Sequence, residues 1–125
     1  MASRTSIAWK ASEGRPLVNA AGLWTPGTAA YGAPGDEEVS LARAWIRQWA
    51  DVRRTINPLA HSYALKRAAE QWAGCAIGNG AFIQAARDLG FRFRRVTRRS
   101  PNAVFNIGFS RWRRFRRLVE RNQWL

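Results

Sequence analysis

At Gly90 the spacing of apolar residues changes from that of a helix to that of a strand, and this switch narrows the folds open to the chain. Before it, Phe82, Ile83, Ala86 and Leu89 form one helical stripe behind an Asn79 cap. After it, FRFRRV (Phe91–Val96) and AVFNIGF (Ala103–Phe109) alternate around the turn-forming TRRSPN, which predicts a β-hairpin. In that hairpin Phe91, Phe93, Ala103, Phe105 and Ile107 face a core. Arg92 and Arg94 face solvent, and Arg98 and Arg99 hold the tip.

Two helices are expected upstream and one downstream. Asp36 caps the first, with Glu37 and Glu38 in its opening turn; Leu41, Trp45, Trp49 and Val52 recur inward until Asn57-Pro58 ends the run. Ser62 caps the second, whose stripe is Leu65, Ala68, Ala69 and Trp72 and whose stop is Gly74. Ser110 caps the last, with Trp112, Phe115 and Val119 on one face, Leu118 at its flank, and Arg113, Arg114, Arg117 and Arg121 opposite. Residues 1–35, rich in Ala, Gly, Pro, Ser and Thr, show neither period and read as an irregular N-terminal arm. Their Trp9, Leu17, Val18, Leu23, Trp24 and Tyr31 are too apolar for a purely solvated tail, so part of the arm is expected to pack. The resulting fold class is mainly α with a small β-hairpin. Residues 36–125 form a winged helix-turn-helix-like core that ends in a basic C-terminal helix. Setting Gly74 as the turn glycine leaves Gly80 where a branched apolar residue is usual, so the helix-turn-helix match is one of outline.

The net charge of +13 calls for a polyanionic partner, either nucleic acid or an anionic membrane. Residues 92–125 carry eleven of the 21 basic groups and one acid, which places the demand on the hairpin and last helix. On the third helix Gln84, Arg87 and Asp88 face away from the stripe, and Gln84 and Arg87 have the chemistry to read adenine and guanine. Gly80 and Ala81 leave its first turn thin enough to enter a major groove. Arg92, Arg94, Arg95, Arg98 and Arg99 make a wing suited to phosphates or the minor groove, and Arg113, Arg114, Arg117 and Arg121 make a second phosphate-binding face. Each set also has a plainer explanation as the wet side of an amphipathic element. Mutual repulsion of five cations within eight residues argues against that explanation for the wing.

Catalysis is not expected. Cys75 and His61 are the obvious nucleophile and base, and they lack a third partner; one Cys with one His makes neither a disulfide nor a zinc cluster. No catalytic residue, metal site or cofactor is assigned. With no apolar run of membrane-spanning length and no signal-peptide pattern, the expected location is cytoplasmic, at the nucleoid or in a host cytoplasm.

Residues 56–91 and 100–108, through the motifs SYALKRAAE, NGAFIQAA, DLGF and PNAVFNI, resemble small uncharacterised proteins encoded by bacteriophages and integrated mobile elements. The resemblance implies a mobile-element setting, and hence a regulator, a DNA-organising factor or an anti-defence protein. The expectation is therefore a non-enzymatic nucleic-acid-binding protein, with duplex DNA ranked above RNA. The alternatives are an interaction protein that blocks host machinery through tryptophan anchors, and a membrane-surface protein using the last helix.

Overall fold

A computed structural model describes residues 16–122, with the side chains of the last helix described to residue 117. Its element order begins with β1 (Val18–Asn19), β2 (Gly22–Leu23), α1 (Asp36–Trp49) and β3 (Asp51–Val52). Then come α2 (Ser62–Ala73), α3 (Asn79–Asp88), β4 (Phe93–Arg95), β5 (Ala103–Phe105), β6 (Ile107–Gly108) and α4 (Ser110–Asn122). The fold is mainly helical, with small antiparallel pairs β1–β2, β3–β6 and β4–β5.

The centre is α3, where Gly80, Ala81, Phe82, Ile83, Ala85 and Ala86 are all buried, on more faces than one apolar stripe would cover. α1 packs most extensively against it, and Trp45, fully buried, meets Phe82 at 6.0 Å between ring centres. α2 contributes Leu65 and Ala69 to the same core. Trp72, expected to continue that stripe, is instead 37% exposed. It lies in the last turn of α2, which closes at Gly74 in the left-handed conformation (φ 74°).

Three of the expected caps are each displaced by one residue. The residues at the N-cap positions are Gly35, His61 and Gly78 rather than Asp36, Ser62 and Asn79. Ser62 and Asn79 are drawn into tertiary bonds. The Ser62 hydroxyl accepts from the Ala103 amide at 3.1 Å, and the Asn79 amide donates to Ala21 O and Asn102 Oδ1, both at 3.0 Å. His61 caps in place of Ser62, its Nδ1 accepting from Tyr63 N at 3.3 Å. Val52 is also displaced from its expected role. α1 ends at Trp49, and the next residues pair with β6, Asp51 opposite Gly108 and Val52 opposite Ile107, which leaves Val52 75% exposed.

The expected hairpin forms, with Phe93 opposite Phe105 and Arg95 opposite Ala103. Ala103, Phe105 and Ile107 are fully buried, while Phe91 and Phe93 pack at the core margin. The β5–β6 run has a second flank that sequence patterning did not expose: Phe105 donates to Ala60 O and accepts from Asn57 N, and His61 bridges to Val104. The described part of the N-terminal arm carries more order than an irregular segment. Asn19 Oδ1 accepts from Ala21 N, closing the β1–β2 turn, and Val18 and Leu23 are buried against α3. Trp9 and Trp124 lie outside the described residues.

Candidate nucleic-acid interface

The first turn of α3 is already occupied by the protein itself. The Glu38 carboxylate of α1 accepts from Gly78 N at 2.6 Å, placing a negative charge where a helix N-terminus would hold a phosphate. Gly80 N donates to Ala20 O at 3.2 Å, and a Cβ built on Gly80 would stand 1.7 Å from Asn19 O. Gly80 thus admits the N-terminal hairpin and Ala81 is buried, so neither thins an open helix end for a groove, which corrects that expectation. Gln84 donates to Asp88 at 2.7 Å, and Asp88 is paired with Arg43 at 2.6 Å. Gln84 and Asp88 line a hollow of about 330 Å³ together with Ala33, Pro34 and Arg43. The Arg87 guanidinium stands 6.0 Å from the centre of the Phe93 ring, so its stem lies over the hairpin.

The β4–β5 hairpin and its approaches present most of their arginines to solvent, as expected. Arg94 is exposed on β4 and Arg92 just before it, and Arg98 and Arg99 are exposed at the tip, where Ser100 N closes the turn on Thr97 O at 3.0 Å. Arg95 is the exception. It turns back, half-buried, and donates to Ser100 O at 2.7 Å and Trp24 O at 3.2 Å, which makes it a tie between the wing and the N-terminal segment.

α4 divides its residues by face. Trp112 is 5% exposed and meets Trp45 at 5.5 Å and Trp49 at 5.6 Å, while Phe115 lies 4.7 Å from Trp49. The indole N–H groups of Trp45, Trp49 and Trp112 are buried with no acceptor among the described residues, which costs stability at this aromatic seat. Arg113, Arg114 and Arg117 remain exposed, with the Arg113 guanidinium 5.0 Å from the centre of the Phe109 ring. The side chain of Arg121 lies outside the described residues, as do those of Leu118 and Val119.

Comparisons of the chain with protein-family models, with curated proteins and with solved structures return no match. The interface therefore stands on its own geometry. Among the described residues the ion pairs are Arg43–Asp88, Lys66–Glu70 and Arg111–Asp51, and none of them reaches the wing. Arg53 and Arg54, in the α1–α2 connection and absent from the sequence-based set, are also exposed and lie beside Arg92. Long-range bonds place them there, from Asn106 to Arg53 and from the Arg92 guanidinium to Arg54 O, and no local pattern announces them.

His61 and Cys75 flank opposite ends of α2, a helix of twelve residues and thus about 18 Å long. Among the described residues there is no group of three His, Cys, Asp or Glu side chains placed to hold a metal, and no helix is long and apolar enough to cross a membrane. Glu70 is held structurally. Partial burial pushes its carboxyl upward, but bonds from Ile77 N and Lys66, with the charge of Arg67 nearby, outweigh this and leave it below the ordinary carboxylate value.

Proposed function

We propose that this chain is a non-enzymatic binder of duplex nucleic acid, with DNA the first-ranked form, that grips backbone phosphates with the β4–β5 wing and the arginine face of α4. The observation that carries this reading is the sorting of arginine from aromatic residues along 91–117. Arg92, Arg94, Arg98, Arg99, Arg113, Arg114 and Arg117 face solvent, while Phe105 and Trp112 are buried and Phe91, Phe93, Phe109 and Phe115 pack on the core. Single-strand binders interleave aromatics with cations at the surface so that bases can stack. A helix lying on a bilayer needs its apolar face free. Here that face is spent on Trp45 and Trp49, and the exposed cations suit phosphates on a duplex.

The element order supports a winged-helix reading, since α1, β3, α2, α3, β4 and β5–β6 follow one another with β3 and β4 both paired to the β5–β6 run. Groove entry by the start of α3 does not belong to this reading, because Asn19, Ala20 and Glu38 fill that space. Base reading by Gln84 and Arg87 is dropped with it, and affinity is assigned to shape and phosphate contacts. The resemblance to phage and mobile-element proteins makes a DNA-organising factor or regulator, acting in the cytoplasm, the fitting role. A protein-blocking role is the second reading, favoured by Leu59 at 72% and Tyr63 at 48% exposure near the start of α2.

The test is a salt-titrated binding comparison of duplex DNA, single-stranded DNA, structured RNA and anionic vesicles. Duplex DNA should bind best. Changing Arg94, Arg98 and Arg99 to Ala should flatten log K against log salt by roughly 0.9 per lost contact. Stronger binding to single strands or vesicles would defeat the reading.

A further inference from the structure

We propose that Arg53, Arg54 and Arg92 form a phosphodiester-binding site, assembled by Asn106, that joins the wing to α4; this rests on the duplex-binding reading above. Asn106 is 5% exposed and interrupts the β5–β6 run. All of its polar groups go to two arginine-bearing segments. Its side-chain amide donates to Arg53 O at 3.0 Å and its Oδ1 accepts from Arg92 N at 2.7 Å. Its backbone carbonyl accepts from Arg53 N at 2.8 Å, and its backbone amide donates to Arg92 O at 3.2 Å. The Arg92 guanidinium then donates to Arg54 O, fixing the third member of the group.

Positions 53 and 54 enter these bonds through main-chain atoms, so the bonds would serve the fold with other side chains there. Placing arginines there puts three exposed cationic side chains on backbone that Asn106 and Arg92 hold together. The nearby acid, Asp51, is engaged by Arg111 at 3.1 Å and Ser110 at 3.3 Å. Like charges held together by rigid backbone destabilise the free protein and are relieved by an anion. Guanidinium forks match the paired oxygens of a phosphodiester. The stem of Arg53 also lies along β6: its Cδ would be 3.4 Å from a Cβ on Gly108, two residues before α4 begins. The site therefore fills the interval between Arg94 on the wing and the arginine face of α4.

The test uses the full chain and a short labelled DNA duplex, read by fluorescence anisotropy across a potassium chloride series. The Arg53→Gln, Arg54→Gln double variant should keep its melting temperature and reduce the slope of log K against log salt by about 1.8, two contacts at about 0.9 each. Arg53→Lys with Arg54→Lys should restore most of that slope. Arg92→Gln alone should reduce it by about 0.9. An unchanged slope in the double variant, alongside a reduced one in Arg98→Gln, Arg99→Gln, would overturn the site and leave the duplex-binding reading intact. A wild-type chain with no salt-dependent duplex binding would remove both. An equal loss on anionic vesicles would overturn the duplex assignment.

Discussion

Replacing Gly80 with Ala tests whether the N-terminal hairpin is built into the core. The added methyl would stand 1.7 Å from Asn19 O, 2.8 Å from Asn19 C and 3.0 Å from Ala20 C, all of them backbone atoms that cannot swing aside. α3 cannot retreat easily, because Phe82 and Ile83 are fully buried on its other faces. If the hairpin lifts, Val18 and Leu23 return to water at roughly 1.5–3 kcal/mol each. The Gly80–Ala20 bond is lost as well, at about 1 kcal/mol, against a helix-propensity gain of about 1 kcal/mol. Full release thus costs about 3–6 kcal/mol, and a strained compromise that keeps the hairpin in place costs about 1–3 kcal/mol. Urea unfolding should show a midpoint lowered accordingly, and amide exchange should rise over residues 18–23 and the first turn of α3. Gly32→Ala, where nothing lies within 4 Å, is the matched control and should be close to neutral. A Gly80→Ala protein as stable as the parent, with unchanged exchange in the hairpin, would refute the steric argument.

Trp45→Ala, at a fully buried position, should cost roughly 3–5 kcal/mol in chemical denaturation, whereas Trp72→Ala should cost about 1 kcal/mol or less; similar losses would contradict the burial difference. Trp49→Phe removes a buried donor without an acceptor and keeps a ring against Trp112 and Phe115, so stability should change by less than about 1 kcal/mol. Glu70 has a lowered folded-state pKa, so its contribution is fully present above the unfolded value of 4.5 and fades as pH falls through the folded value. Glu70→Gln should narrow the gap in melting temperature between pH 7 and about pH 3, and an identical pH profile would count against the Ile77–Lys66 arrangement.

The parts of this fold that local pattern governs were legible. Period-two spacing identified the two strands of the hairpin and the inward face that Phe93, Ala103 and Phe105 share, and the caps and stripes placed the starts of α1 to α4 within a residue, while α1 stops at Trp49, well before the expected end at Asn57-Pro58. What failed were local rules overridden by distant partners. Ser62 and Asn79 look like caps in isolation, yet Ala103, Ala21 and Asn102 take their side chains. Val52 continues a helical period until β6 draws its backbone into a pair. Gly80, which weakened the helix-turn-helix match, is explained by Asn19 crossing over it. The arginine set was visible as composition, but Arg53 joined it only through Asn106 and Arg54 through Arg92, and Arg95 left it for Trp24.

The docking of Trp112 between Trp45 and Trp49 bears on how the chain is made. Both ring surfaces on α1 leave the ribosome well before the helix that covers them, so a nascent chain that has reached the wing still displays two uncovered tryptophans beside a growing run of arginines. Domains complete their packing only once the last contributing element is out, and exposed apolar surface in the interim invites aggregation or chaperone capture. Ribosomal RNA is itself a polyanion close at hand, and the arginine-rich segments emerge directly against it. Yield of folded protein should therefore respond to the speed of translation through codons 105–117 more than through the earlier helices.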